Sequence, residues 1–250
     1  MKNKRRVKII MGVILVIILV FVGVIVIQYQ SFKVEPETDR TETSTDAVLT
    51  DEQVNYTLLK YPTMVELGLN RVTADNSFPI PGLIATKTLE SNDSNEFSMC
   101  TSMTPQGICR TSKYIFISAY CHTKSHNSVL YMIDGNTNTF IKEIILPDKP
   151  HAGNICYDPV NNNIWVACTG KGFVTGKRTA YLNCLNLNTI EAYDFNTSKK
   201  PIVFDMKYEI EGFRNASFIS YYRGNIFVGN YRNNDKENSY VQRFPITDEG

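Results

Sequence analysis

Residues 155–168 read ICYDPVNNNIWVAC. An apolar run stops at Asp158-Pro159, three asparagines follow, and a second apolar run holds the chain's single tryptophan, Trp165. Asp-Pro and Asn clusters between runs of β-branched and aromatic residues spell a strand, a tight turn and a returning strand. The same phrase recurs. KYIFISAY (113–120), NIWVACTG (163–170) and NIFVGNYR (225–232) align, with Phe116, Trp165 and Phe227 in one column and Ile117, Val166 and Val228 in the next. Each follows a shorter apolar segment and a turn: GIC-RTSK, NICY-DPVNNN and SFISYY-RG. A later pair, YMIDGNT (131–137) and NCLNLNT (183–189), sets Asp134 over Asn186 and Thr137 over Thr189, and YVQRFPITDEG begins the third copy.

Copies spaced by 49 and 62 residues are of the order of the ~40–50 residues in a four-stranded propeller blade. The longer spacing is absorbed by extra loop and strand over 190–212. A four-stranded repeat whose second strand is apolar on both faces suits blades stacked around a channel, so the expected fold is all-β, a β-propeller of four-stranded antiparallel blades over 79–250. A β-sandwich with coincidental hairpins is the alternative. The motif NICYDPVNNNIWVAC followed by CLNLNT resembles the YVTN-type and NHL-type propeller repeats of bacterial extracytoplasmic proteins. It departs from them in lacking the terminal Gly in two copies. Three clear repeats fall short of the four to eight blades of closed propellers. The chain is therefore expected to carry part of a longer propeller, with a four-bladed or open assembly as the alternative, and residues 79–100 are expected to add one or two strands.

The N-terminus reads differently. MKNKRRVK is basic, and Ile9 to Ile27 follows with no charge in nineteen residues. As a helix that run spans roughly 28 Å, the hydrocarbon thickness of a bilayer. It lacks the short apolar core and the A-x-A end of a cleaved signal, so the expectation is an uncleaved signal anchor. Lys2, Lys4, Arg5, Arg6 and Lys8 would keep residues 1–8 in the cytoplasm, with everything after Gln28 outside. Residues 28–53, acidic and Thr-rich, read as a solvated stalk. Residues 54–78 read as a linker with a short helix, entered through a capping box at Thr50–Gln53 and stopped by Pro62.

With 43% hydrophobic and 20% charged residues and a net charge of +1, the chain can bury a core and has no basic stripe for nucleic acid. In a propeller, the loops from second to third strand and from fourth to the next first strand share one face. That places His122, His126, His151, Lys171, Lys177, Arg178, Arg214, Asn215 and Arg232 together as candidate ligand-binding residues. His122 and His126 form H-x3-H beside Cys121, but that spacing aligns two ligands on a helix and here falls in a loop. No metal or other cofactor is assigned, and no catalytic residue. GKGFVTGKR falls one residue short of a phosphate-binding P-loop and has Arg178 in place of its Ser/Thr. It reads as a flexible basic loop able to contact an anionic cell-wall polymer.

Of the six cysteines, Cys109, Cys156, Cys168 and Cys184 fall inside strands, where a thiol behaves as a small hydrophobe. Cys100 and Cys121 are the pair that strand geometry brings together most readily for a disulfide. Asn55, Asn196 and Asn215 head N-x-S/T triplets, which the bacterial resemblance implies are bare. The functional expectation is a membrane-anchored extracytoplasmic binding module, its partners the bilayer through Ile9 to Ile27 and a cell-wall polymer, protein or small ligand. The alternative is a lactonase- or lyase-like propeller enzyme. Such enzymes carry converging carboxylates, and the first strands GIC, NICY and SFIS offer none.

Overall fold

A computed structural model describes residues 2–31, 60, 62–63, 80, 83, 85–94, 96–172, 176, 178–230 and 239–247. The chain divides into two compact units, residues 1–36 and 37–250. In the first, α1 runs over Lys2–Ser31, four residues beyond the expected end at Ile27. Its side chains are described from Met11 to Ile27, where every large hydrophobic residue is exposed. Among the described residues no helix is long and apolar enough to cross a membrane. The stalk beyond Ser31, the capping box at Thr50–Gln53 and most of the 54–78 segment lie outside the described residues.

The second unit is built from four antiparallel sheets. The first has two strands, β1 (Thr86–Thr88) and β2 (Ser98–Cys100). Next comes a four-stranded meander of β3 (Met103–Arg110), β4 (Tyr114–Cys121), β5 (Val129–Asp134) and β6 (Phe140–Ile145). A second meander has β7 (Asn154–Asp158), β8 (Asn163–Lys171), β9 (Arg178–Asn186) and β10 (Met206–Ile210). Last is a three-stranded sheet of β11 (Phe218–Tyr222), β12 (Asn225–Gly229) and β13 (Val241–Pro245). No closed ring of blades forms among the described residues. The segment 79–100, expected to join a neighbouring blade, makes the separate two-stranded sheet instead.

Each turn follows from its residues. Asp158 accepts from the backbone N–H groups of Val160 and Asn161, and Asn162 takes the positive φ (59°) that Asn tolerates better than branched residues. Arg223 and Gly224, both at positive φ, close the two-residue turn between β11 and β12. Asp134 and Asn186, aligned in the sequence, do the same local job: each carboxylate or amide oxygen accepts from the backbone N–H two residues on. After Asp134 the chain turns into β6. After Asn186 it enters a helix, α2 (Leu187–Ala192), and Asp194 then caps a second one, α3 (Phe195–Ser198). The insertion expected as loop and strand over 190–212 is therefore two helical turns followed by β10. Short polar caps competed successfully with strand continuation, and Leu187, Ile190 and Phe195 supplied apolar groups to bury.

The repeat register holds. Phe116, Trp165 and Phe227 are each the third residue of the second strand, opposite Cys109 and Met132, Cys156 and Cys184, and Ser220 and Arg243 respectively. The sheets meet through their first strands, β3 against β7 and β7 against β11. Gly107 permits the first of these approaches, because a Cβ there would collide with Asn154. The two faces of the second meander belong to different cores. Ile155, Ile164, Val166 and Leu185 join Phe116 in one, while Cys156, Trp165, Ala167 and Cys184 join Ile219, Ile226 and Val228 in the other. Alternation along a strand makes this possible only because both faces are apolar.

The third column member differs. Phe227 is only half-buried, and on its face Phe218, Tyr222 and Val241 are 43%, 57% and 56% exposed. Its register is equivalent to that of Phe116 and Trp165, but no described sheet covers it. Phe116→Ala and Trp165→Ala are expected to cost about 3–5 kcal/mol each. Phe227→Ala, at the same register position, should cost below about 1.5 kcal/mol. Denaturant unfolding of the three variants measures the contrast, and equal losses would contradict it.

Candidate functional site

The loops expected on one face are tied to each other by specific bonds. The β4–β5 loop is stitched to the β6–β7 loop by Ser128 Oγ donating to Pro150 O (2.6 Å) and Lys149 Nζ donating to Ser125 O (2.8 Å). The start of β9 is joined to the β10–β11 loop by Ala180 N and Thr179 Oγ1 donating to Phe213 O. Lys177 and Arg232 lie outside the described residues. The remaining sequence-derived candidates, His126 excepted, fall into three groups.

The first group centres on His151. Its ring lies 4.2 Å from that of Tyr120, which also neighbours His122 at 6.4 Å. Partial burial lowers the His151 pKa below the usual imidazole value, and the charges of Arg178 and Lys124 lower it further. The second group surrounds a cavity of about 470 Å³ lined by Arg178, Arg214, Glu209 and Glu211, so the two arginines there face two carboxylates. Asn215 is nearby in sequence, and its buried Oδ1 has no hydrogen-bond partner among the described residues.

Lys171 belongs to the third group. It lines a cavity of about 390 Å³ with Lys149, Lys207, Asp148, Thr169 and Asn183. The Lys207 ammonium sits 4.5 Å from the centroid of the Tyr181 ring, which forms part of the same wall. Asn183 is 2% exposed, and its Oδ1 has no hydrogen-bond partner among the described residues. A buried carbonyl left without a donor costs about 1–3 kcal/mol. Lys149, Lys207 and Asn183 were not marked by the sequence. Lys149 comes from the first meander and Lys207 from the last strand of the second, and only the packing of the sheets brings them together.

His126 lies apart from all of these. The H-x3-H pair is split because a loop has no helical period: His122 is exposed, whereas His126 turns inward beside Cys121. All six cysteines are free thiols. Burial pushes Cys156, Cys168 and Cys184 up to about 12, and Cys109 higher still, as expected of thiols in apolar strands. Cys100 and Cys121 are neighbours, as their strand positions suggested, but as thiols rather than a disulfide.

No family model matches the chain, and no curated protein matches it.

The His151 environment yields a direct check. The folded chain holds that proton less tightly than the unfolded chain does, so protonation below the ordinary imidazole range costs stability, and stability rises with pH through that range. Arg178→Gln removes a neighbouring positive charge and should raise the His151 pKa. Ring-proton NMR titration of both forms reads this, and an unchanged midpoint would show that Arg178 does not act on the ring.

Proposed function

We propose that this chain is an envelope-tethered binding module, its sheets forming part of a β-propeller of the YVTN/NHL-like kind, and that it captures an anionic ligand at the Lys149–Lys171–Lys207 cavity. The carrying observation is the combination of three lysines with the unpartnered, buried carbonyl of Asn183. Three exposed ammonium groups around one cavity attract phosphate or carboxylate together, an attraction that salt screens. The Asn183 oxygen requires a donor, which a hydroxyl or amide on the same ligand supplies. An anionic glycopolymer of the cell wall has both kinds of group.

Three further observations support the propeller reading: the equivalent register of Phe116, Trp165 and Phe227, the side-by-side first strands, and the two-faced burial of the second meander. The anchor reading rests on the uncharged Ile9 to Ile27 run behind a basic N-terminus. The enzyme alternative gains no support. Asp158, the acid at the end of β7, is occupied by its own turn at the opposite end of the strand from the loops described above.

The test uses the full chain in detergent, titrated with a glycerol-phosphate polymer and with neutral dextran as control. Binding of the polyanion alone is expected, weakening with salt. The double variant Lys149→Glu/Lys171→Glu should lower affinity about tenfold or more, a loss of at least ~1.4 kcal/mol. Equal affinity for dextran, or binding that survives the double charge reversal, would overturn the assignment.

A further inference from the structure

Cys100 ends β2, Cys121 ends β4, and His126 lies in the loop leading to β5. Their donor atoms lie within 4.8 Å of one another. Cys121 Sγ and His126 Nδ1 are 3.6 Å apart. With metal–sulfur and metal–nitrogen bonds of about 2.3 and 2.0–2.1 Å, two donors on one tetrahedral centre stand roughly 3.5–3.8 Å apart. The imidazole and thiol are already at that separation. Both sulfurs are enclosed, with Cys100 at 0% and Cys121 at 2% exposure.

The imidazole is oriented for the task by a chain of bonds. Ser98 Oγ donates to Glu90 Oε1 (3.2 Å) and lies 3.0 Å from His126 Nε2. A hydroxyl that gives its hydrogen to a carboxylate accepts from the ring, so the proton sits on Nε2 and the Nδ1 lone pair faces Cys121. This is the outer-shell arrangement that holds metal-ligating histidines in one tautomer. Around the sulfurs, Ser102 Oγ is 3.6 Å from Cys100 Sγ and 3.4 Å from Cys121 Sγ, and Thr123 Oγ1 is 3.1 Å from Cys121 Sγ. The site thus offers two sulfurs, which release their protons on coordination, and a neutral imidazole nitrogen.

We propose that Cys100, Cys121 and His126 bind a thiophilic d10 cation, Zn²⁺ or Cu⁺, that fastens β2 and the β4–β5 loop to the end of β4. Two sulfurs and one imidazole suit either ion: Zn²⁺ with a water as fourth ligand, Cu⁺ in three-coordinate form. A disulfide between the same cysteines would leave the Glu90–Ser98–His126 chain without a purpose, which favours the cation. Independent of the lysine cavity, this site shares no residue with the proposed polyanion contact.

The full-length chain, reduced and freed of metal in detergent, is titrated with Zn²⁺ against a chromophoric chelator and, without oxygen, with Cu⁺ against a Cu⁺ chelator. One equivalent is expected to bind, and the arm with the tighter constant identifies the ion. Cys100→Ser, Cys121→Ser and His126→Gln should each weaken binding at least about tenfold, and Ser98→Ala by about 10–100-fold, acting only through His126. Cys109→Ser should leave binding unchanged. Should the site variants fail to fold, the wild-type chain still decides the matter: in partial denaturant, where the metal-free chain opens, bound metal must slow alkylation of Cys100 and Cys121 relative to Cys109, mapped by peptide mass. No binding by the reduced chain, binding indifferent to these substitutions, or protein isolated two hydrogens lighter with Cys100 and Cys121 cross-linked would overturn the proposal.

Discussion

A sheet that is apolar on both faces gains stability only when something lies on each side of it, and the second meander meets this condition at every position that counts. Trp165, Cys156 and Cys184 turn one way, Val166, Ile155 and Ile164 the other, and both sets are buried. Burying a large side chain is worth roughly 1.5–3 kcal/mol, so the placement of neighbouring sheets is fixed by these faces rather than by the loops. The first meander obeys the same rule. Phe116 faces the second meander's core, and Tyr131 on the other face meets the two-stranded sheet through its hydroxyl, 2.6 Å from Thr86 Oγ1. On the last sheet the constraint is met on one side by Ile219, Ile226 and Val228 and on the other is left to Phe218, Tyr222, Phe227 and Val241.

Because the sheets are held face to face, their strand ends are held too, and the chemistry collects there. Within strands, side chains are committed to packing: the Cys156, Cys168 and Cys184 thiols are held in the protonated form by apolar surroundings. At the end of β4 the surroundings change within one or two residues to hydroxyls and an imidazole, and Cys121 has polar neighbours there in Ser102, Thr123 and His126. The same transition explains the lysine cavity. It opens where the 147–150 loop of the first meander passes the end of β8, so backbone no longer fills the space between two sheets.

The sequence disclosed what is periodic or local. The hairpin at Asp158 and the matched roles of Asp134 and Asn186 depend on neighbours two or three residues away, and the column through Phe116, Trp165 and Phe227 depends on strand alternation. The helices α2 and α3 were missed because their signals, Asn186 and Asp194 as caps, are equally good turn signals. Burial of Leu187, Ile190 and Phe195 against the first core decided between the two. The candidate site was legible only as a set of loops. Which histidine turns inward, and that Lys149 meets Lys207 beside Asn183, are consequences of sheet packing that no spacing encodes. The nearness of Cys100 to Cys121 was legible, since the register places Met103 opposite Cys121 and leaves Cys100 just beyond it. The bond type was not, because it depends on Ser98, Ser102 and Thr123 around the sulfurs.

Lys149 sets part of the energetic cost of filling the lysine cavity. Its ammonium donates to Ser125 O, the residue before His126, while its side chain lines the cavity beside Asp148. An anion that draws Lys149 inward must break or share that bond, worth about 0.5–1.5 kcal/mol net. Asp148, whose backbone N–H and carboxylate are both bonded to Asn92, stays fixed and repels the same anion. Against these costs stand the charges of Lys171 and Lys207 and the unpaired Asn183 oxygen. A simple anion answers the charges alone, whereas a ligand with a hydroxyl or amide donor also relieves the buried carbonyl, so the cavity discriminates by hydrogen-bond donor as well as by charge.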